Sequence, residues 1–380
     1  MASTPDSSVS VRLNPFKRSC SGLPILEGVA PVPWSPYGYI LKERPVFTLH
    51  PLFHAGVYYV QDSSAMYVGH VFRRMLDGLG SGAPLRVLDL CAAPGGKTTD
   101  LAASLRERFG SAFELVSNEV MKQRAGVLAD NVARWGDPCV TVTSADPAAF
   151  AKLEGYFDII VADVPCSGEG MFRKDPRAEE EWSPEVVELC AARQKRILAD
   201  VWPSLRQGGV LVYSTCTYED AENDGNLEWA AEELGGDIVE PVDEFADYGV
   251  RLTRHGNLLK VGEVPGEGQW VGALVKTAPS GSTRKRLSDV IRPYVKKEPG
   301  FDPDAPLSID FDRNAYPCVE VDKPTALQYL HRDAIVLKDA PLGHLVLTYR
   351  GVPLGFVKNI GRRCNNLLPQ HRRILMDVNK

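Results

Sequence analysis

Beyond residue 62 the chain switches between two hydrophobic rhythms. Short runs that are apolar at nearly every position alternate with stretches whose apolar residues recur every three or four positions. The first rhythm belongs to strands buried on both faces, the second to amphipathic helices. After a helix-like stretch over 63–76, the runs are R-V-L-D-L-C (86–91), E-L-V-S-N-E (114–119), V-T-V-T-S-A-D (140–146), F-D-I-I-V-A-D-V-P (157–165) and G-V-L-V-Y-S-T-C-T (209–217). Between the first two, Leu101, Ala102, Leu105 and Phe109 mark one helix face, which stops at Gly110. Val120, Val127, Leu128, Val132 and Trp135 mark the next, closed by Gly136. A long helix after the fourth run has Ser183 as N-cap, Pro184 at its first position and Glu185 in its first turn. Q-W-V-G-A-L-V-K-T (269–277) reads as a late antiparallel strand. Repeated strand–helix units predict a mostly parallel sheet covered on both faces, an α/β fold.

The ends of the chain break this pattern. Residues 1–62 are rich in proline and aromatics (P-V-P-W-S-P-Y-G-Y) and read as an irregular cap with short β-like pieces. Small and basic residues replace pattern at A-P-S-G-S-T-R-K-R (278–286). Residues 306–380 then show short strands, notably 344–350 and 355–360, between glycine and proline turns. The expected division is a cap (1–62), an α/β unit (63–279), a linker (280–305) and a small β-rich unit (306–380).

Composition narrows the class. With 380 residues, 44% hydrophobic and 24% charged, the chain reads as a globular protein of two or three domains. The polar start M-A-S-T-P-D-S-S lacks the features of a signal peptide. No apolar run approaches the roughly 18 residues of a membrane span. The eight cysteines include no C-x-x-C pair, and free thiols without a secretion signal point to the cytoplasm. The net charge of -6 hides an asymmetry. Residues 281–380 hold 17 Lys+Arg against 11 Asp+Glu, and 350–380 hold seven basic residues (Arg350, Lys358, Arg362, Arg363, Arg372, Arg373, Lys380) against Asp377. A basic unit on an acidic body is the footprint of phosphate neutralisation, with a solvated tail as the alternative.

Candidate chemistry sits at the ends of the strand runs, where open α/β sheets bind ligands. C-A-A-P-G-G-K-T follows the first run, and its small residues let backbone approach a ligand closely. It is neither G-x-G-x-x-G nor a P-loop, which weakens NAD and ATP readings. Asp89, Glu119, Asp146 and Asp163 stand at four successive strand ends, a rim suited to a cationic ligand such as S-adenosylmethionine. Glu119 lies where an acid meets ribose hydroxyls in nucleoside-cofactor sites. Cys166 (D-V-P-C-S-G) and Cys216 (Y-S-T-C-T) end the fourth and fifth runs. A thiolate adding to C6 of a cytosine would make C5 nucleophilic enough to accept a sulfonium methyl. A single strand-end cysteine is more often a buried small hydrophobe. Zinc is disfavoured, since ligand spacing and partner histidines are missing, and His50 and His54 read as structural because Pro51 separates them. The acidic stretch E-D-A-E-N-D (219–224) reads as a solvated helix start.

Together, L-D-L-C-A-A-P-G-G-K-T, A-D-V-P-C-S-G-E-G-M-F-R and Y-S-T-C-T resemble the Sun (Fmu-type) RNA cytosine-C5 methyltransferase family. R-L-N-P-F-K and H-A-G-V-Y-Y-V-Q-D-S-S-A-M are similar to the family's opening region. G-F-V-K-N-I-G-R-R-C-N-N-L-L-P resembles the PUA-like RNA-binding domain of the bacterial RsmF-like branch. One departure is that the chain begins close to R-L-N-P, without the helical segment that usually precedes it. The resemblance implies a Rossmann-like class I methyltransferase with an RNA-facing N-terminal cap and a PUA-like C-terminal domain. It implies that Cys91, Ala92, Ala93, Pro94, Gly95, Gly96 and Lys97 hold the methionine part of S-adenosylmethionine. Glu119 would take the ribose, Asp146 the adenine side, and Asp163 the cofactor amine or the cytosine edge. Cys216 would be the nucleophile and Cys166 would help release product, an order that spacing alone leaves open. The expected partner is RNA, ribosomal before transfer RNA, with no metal, no membrane and a monomer as the default. A DNA cytosine methyltransferase using Cys166 would want a large recognition insert, and an N-methyltransferase an aromatic residue where Cys166 stands. A non-catalytic RNA chaperone would have no use for both thiols.

Overall fold

The structure is a computed structural model that describes residues 9–17, 23–79, 84–172, 176–295 and 300–378. The opening M-A-S-T-P-D-S-S, most of the loop before the first strand run, Arg173, linker residues 296–299 and Lys380 lie outside them.

Four short strands come first: β1 (Val9–Leu13), β2 (Ala30–Pro31), β3 (Gly38–Leu41) and β4 (Tyr58–Val60). They pair antiparallel in the order β2-β3-β1-β4. The proline-rich start, expected as an irregular cap with short β-like pieces, therefore joins those pieces into a four-stranded sheet. Strands of two to five residues broken by turns are too short for alternation to show in sequence. A one-turn helix α1 (Pro51–His54) and α2 (Tyr67–Gly78) lead into the main sheet.

That sheet contains β5 (Leu85–Asp89), β6 (Phe113–Asn118), β7 (Val140–Thr143), β8 (Phe157–Asp163), β9 (Leu205–Thr215), β10 (Gly236–Ile238), β11 (Arg251–Leu252), β12 (Gly256–Lys260) and β13 (Gly268–Lys276). The order is β11-β12-β13-β9-β8-β5-β6-β7, with β10 also on β13. Strands β5 to β9 run parallel, and β13 is antiparallel to β9 as expected for the late strand. The chain steps outward from β5 to β6 and β7, then returns to lay β8 on the other side of β5. The loops after β5 and β8 thus diverge and leave a crevice, the place where such sheets bind ligands.

Helices cover both faces: α3 (Gly96–Phe109), α4 (Lys122–Trp135), α5 (Pro176–Glu181), α6 (Pro184–Val201), α7 (Asp224–Leu234) and α8 (Leu287–Val290). Ser183 caps α6 as expected, its hydroxyl accepting from Val186 N at 3.4 Å. Along α4 the buried stripe is Ala125, Leu128, Val132 and Trp135. Val120 and Val127, expected to face inward, are exposed. Val120 precedes the helix, and Val127 stands about 100° from Leu128 around the axis. Alternate residues of β5, β8 and β9 feed two cores: Val87, Ile159 and Val212 on one face, Leu88, Ile160 and Leu211 on the other. Each such side chain contributes about 1.5–3 kcal/mol relative to exposure.

The C-terminal sheet has the order β14 (Cys318–Glu320), β15 (Gly343–Tyr349), β16 (Val352–Asn359), β17 (Cys364–Asn366), with α9 (Lys323–His331) packed on it. The expected strands near 344–350 and 355–360 are β15 and β16, whereas α9 was not foreseen. Gly355 lies inside β16 at φ +147, where a side chain would collide with the Tyr329 hydroxyl. This sheet and the N-terminal one share a single apolar cluster, with Val11, Leu52 and Tyr58 packed among Leu330, Leu345 and Val357. Among the described residues, no helix is long and apolar enough to cross a membrane.

Candidate active site

Cys166 lies three residues past β8 and Cys216 one residue past β9. Because β8 and β9 are parallel neighbours, their C-terminal loops emerge side by side. The two sulfurs are 3.0 Å apart, and Cys216 N donates to Cys166 Sγ at 3.3 Å. Both are free thiols. The hydrogen bond with Cys166 lowers the Cys216 thiol below its ordinary range, against burial and the negative charge of Asp163, and Lys97 adds to the lowering. The same hydrogen bond, with burial and the negative field of Cys216 and Glu222, raises Cys166. The pair is therefore asymmetric, with Cys216 as the more acidic sulfur.

Lys97, from the first turn of α3, reaches Asp163 Oδ2 at 2.8 Å. Burial lowers the Lys97 ammonium, but Asp163 outweighs it and the net shift is upward, so the charge persists. Asp163 ends β8, and its Oδ1 accepts from Ser214 Oγ at 2.7 Å and Gln269 Nε2 at 3.0 Å. Those two partners come from β9 and β13, so three strands and a helix hold one carboxylate.

The loop after β5 carries Cys91 to Lys97. Gly95 has φ +108, and a Cβ there would lie 3.1 Å from Leu128 Cδ1. Pro94 O is held by Asn131 Nδ2 at 2.8 Å and by Tyr59 OH at 3.2 Å, while Arg124 Nη2 donates to Ala93 O at 2.9 Å. Asp89 is fully buried. Thr98 Oγ1 donates to its Oδ2 at 2.6 Å, and its Oδ1 has no partner among the described residues. Burial pushes this carboxyl up to about 7. Glu119 stands one residue past β6, accepting from Met121 N at 3.0 Å and pairing with Arg124 at 3.4 Å. Asp89, Glu119 and Asp163 all act on the Cys91 thiol, which they and burial raise. The orphaned buried carboxylate oxygen of Asp89, at the end of β5, suits a cationic ligand in this crevice. Asp146 stands apart. It lies three residues beyond β7, exposed, and its Oδ1 accepts from Ala148 N at 3.0 Å at the start of a 3-10 turn.

The acidic stretch 219–224 is not the solvated helix start it was expected to be. Glu222, Asn223 and Asp224 are buried. Glu222 accepts from Ser167 N at 3.1 Å and from Gln194 Nε2 at 2.6 Å, which ties α6 to the segment after Cys166. Gln194 and Glu222 were missed because one lies mid-helix and the other in a run of acids. The only signal was that Glu222 follows Cys216 by six residues.

The cationic side chains of R-L-N-P-F-K, assigned to an RNA-facing cap, point inward. Buried Arg12 donates through Nη2 to Gly96 O at 3.0 Å and to Thr99 Oγ1, and through Nε to Gln61 at 2.8 Å. Asn14 Nδ2 donates to Trp135 O at 3.0 Å, and Lys17 Nζ to Arg134 O at 3.0 Å and Ala55 O at 2.8 Å. A lysine and an amide on the last carbonyls of α4 satisfy groups that a helix end leaves open. His50 and His54 are likewise used locally, against Tyr58 OH at 2.6 Å and Thr48 O at 2.9 Å.

The basic C-terminal segment also divides. Arg372, expected among the phosphate-binding residues, is engaged with Asp304 at 2.6 Å and Asp130 of α4 at 3.3 Å, with 7% of its side chain exposed. Arg350, Lys358, Arg362, Arg363 and Arg373 are exposed.

Three family models match: the N-terminal domain of 16S rRNA methyltransferase RsmF over residues 2–63, 16S rRNA methyltransferase RsmB/F over 83–234, and the methyltransferase RsmF PUA domain over 316–374. Ribosomal RNA small subunit methyltransferase F of Escherichia coli O157:H7 is 37% identical over 283 residues, covering 70% of this chain and 57% of the relative. The protein of the same name from Shigella boydii serotype 18 is 36% identical with the same coverage. The chain thus spans a little over half the length of these curated relatives. Among solved structures, a methyltransferase homologue from Pyrococcus horikoshii superposes with TM-score 0.56 at 25% identity, covering 71% of this chain and 86% of that one. NSun6 from Pyrococcus horikoshii, solved with SFG, gives TM-score 0.50 at 25% identity, covering 62% and 57%. Its cap, main sheet and C-terminal sheet are thus each similar to a model from the RsmB/F methyltransferase group.

Proposed function

We propose that this chain methylates C5 of a cytosine in ribosomal RNA through a transient bond between Cys216 and C6 of the base. The observation that carries the reading is the unequal pair of thiols, 3.0 Å apart at the β8 and β9 ends, beside the Lys97–Asp163 pair. S-adenosylmethionine, when bound, supplies an electrophilic methyl group. Cys91 to Lys97, with Asp89 and Glu119, would hold it, and Asp146 would border its adenine side. Ribosomal RNA is favoured over transfer RNA by the names of the relatives.

The residues divide the work as follows. Cys216 gives up its proton readily because Cys166 hydrogen-bonds with it and Lys97 is near. Its thiolate adds to C6, and the electron pair displaced toward C5 makes that carbon the nucleophile. Asp163, held on three sides, faces the cytosine edge or the cofactor amine. After methyl transfer a base removes the C5 proton, the C5–C6 double bond re-forms and the Cys216 sulfur leaves as thiolate. Cys166, kept protonated by its surroundings, is placed to donate to that leaving sulfur. The target base has to be flipped out or already single-stranded to reach the thiols. We assign residues 63–279 to catalysis, 1–62 to the cap, 280–305 to the linker and 306–380 to RNA binding, in the cytoplasm. The exposed arginines and lysines of the last unit are available for phosphates.

RNA carrying 5-fluorocytosine tests this, because fluorine at C5 prevents the release step. Wild-type protein should leave a denaturant-resistant adduct, and Cys216→Ser none. Cys166→Ala should accumulate adduct on ordinary RNA. If Cys166→Ala abolished the adduct while Cys216→Ser kept it, the assigned roles would be reversed.

A further inference from the structure

The two cysteine segments hold each other crosswise. In the segment after Cys166, Glu169 turns its carboxylate toward the other loop, where Oε2 accepts from Thr217 Oγ1 and Tyr218 N, both at 2.6 Å. In the segment after Cys216, Glu222 turns back and accepts from Ser167 N at 3.1 Å. Gln194 Nε2 braces that grip, donating to Glu222 at 2.6 Å and to Pro165 O at 3.0 Å. Each carboxylate therefore binds the residue or residues just beyond the cysteine on the other segment. The loops touch directly as well. Ser167 Oγ and Thr217 Oγ1 meet at 2.9 Å, and Gly170 N donates to Cys216 O at 2.7 Å. A Cβ at Gly170 would lie 2.7 Å from that same oxygen, so the approach needs glycine.

Carboxylates accepting from backbone N–H groups make charge-assisted bonds, stronger and shorter than neutral ones. Glu222 is fully buried, so its alternatives to these partners are poor. Such a brace limits where each sulfur can sit, and attack on a ring carbon demands placement to within a fraction of an ångström. We propose that Glu169 and Glu222 are positioning residues with separate duties: Glu169 sets Cys216 for attack, and Glu222 sets Cys166 for release. This rests on the roles of the two thiols proposed above.

Single-turnover kinetics with the full chain separate the two steps. Glu169→Gln should slow adduct formation on 5-fluorocytosine RNA by about ten-fold. Glu222→Gln should form that adduct at close to the wild-type rate yet accumulate adduct on ordinary RNA, as Cys166→Ala does. S-adenosylhomocysteine binding and melting temperature report folding. Should Glu222→Gln fail to bind that ligand, Glu222→Asp, which keeps the charge but shortens the reach, is read in its place and should show the same release defect. Equal slowing of both steps by both variants, in proportion to lost melting temperature, would mean the brace only holds the fold and would overturn the proposal. Absence of any adduct with wild-type protein would instead remove the role given to Cys216, and the separate duties with it.

Discussion

The sulfurs of Cys166 and Cys216 lie 3.0 Å apart, and the hydrogen bond between them moves the two thiols in opposite directions, Cys216 downward and Cys166 upward. Two identical side chains on adjacent strand ends are thereby made chemically unequal, because the thiolate and not the thiol is the nucleophile.

Alkylation should report that inequality. With limiting iodoacetamide near neutral pH, peptide mass spectrometry should find Cys216 modified before Cys166. The Lys97→Met variant should slow modification of Cys216 and shift its pH dependence upward, since a cation that favours the thiolate is gone. Preferential labelling of Cys166 would contradict the asymmetry.

Asp89 gives a pH dependence of definite sign. Its folded pKa is raised from 3.8 to about 7, chiefly by burial and partly offset by the Thr98 hydroxyl. In the free protein the folded state binds this proton more tightly than the unfolded chain does. The contribution to stability is thus full below about pH 4 and is lost as pH rises toward about 7. A cationic ligand facing the carboxylate favours the ionised form. Affinity for S-adenosylmethionine should then tighten as pH rises through this window, with proton release at pH 6 exceeding that at pH 8. Calorimetry in buffers of different protonation enthalpy measures the release, and Asp89→Asn should flatten it.

How much of this was legible depended on whether a signal was local. The apolar runs that became β5, β8 and β9 were plain because both faces are buried, and the thiols at their ends followed from the motifs. The cap sheet was not, because its strands are too short to carry a period. Glu222 was read as solvated because a stretch with five polar residues in six usually is, and only the fold shows α6 lying over it. Arg372 was misread, and the buried place of Arg12 was not foreseen, for one reason. Charge is visible in a sequence, but the carbonyls and carboxylates that absorb it, Gly96 O for Arg12 and Asp304 for Arg372, come from distant segments.

The cofactor loop can be tested at one backbone position. At Gly95, φ +108 suits glycine, and a Cβ would also press on Leu128. Gly95→Ala should cost about 1–3 kcal/mol of stability and weaken S-adenosylhomocysteine binding at least ten-fold. Gly262, at φ +84 with nothing within 4 Å of an added Cβ, is the control. Gly262→Ala should carry some strain but leave ligand binding intact.

Two kinds of arginine share the last stretch of chain, and they should fail differently. Arg372 joins the C-terminal unit to α4 and to Asp304, so Arg372→Ala strands partly buried carboxylates and should cost on the order of 2 kcal/mol in denaturant unfolding. Arg362 and Arg363 are exposed. Replacing both by alanine should leave the unfolding midpoint unchanged, weaken RNA binding, and reduce its salt dependence by roughly one unit of slope per lost phosphate contact. The two outcomes separate because a charge can be neutralised only once: the carboxylates of Asp130 and Asp304 already occupy Arg372, whereas the exposed pair still faces solvent. Unchanged RNA affinity in the double variant, measured at two salt concentrations, would confine the RNA-binding surface to other residues.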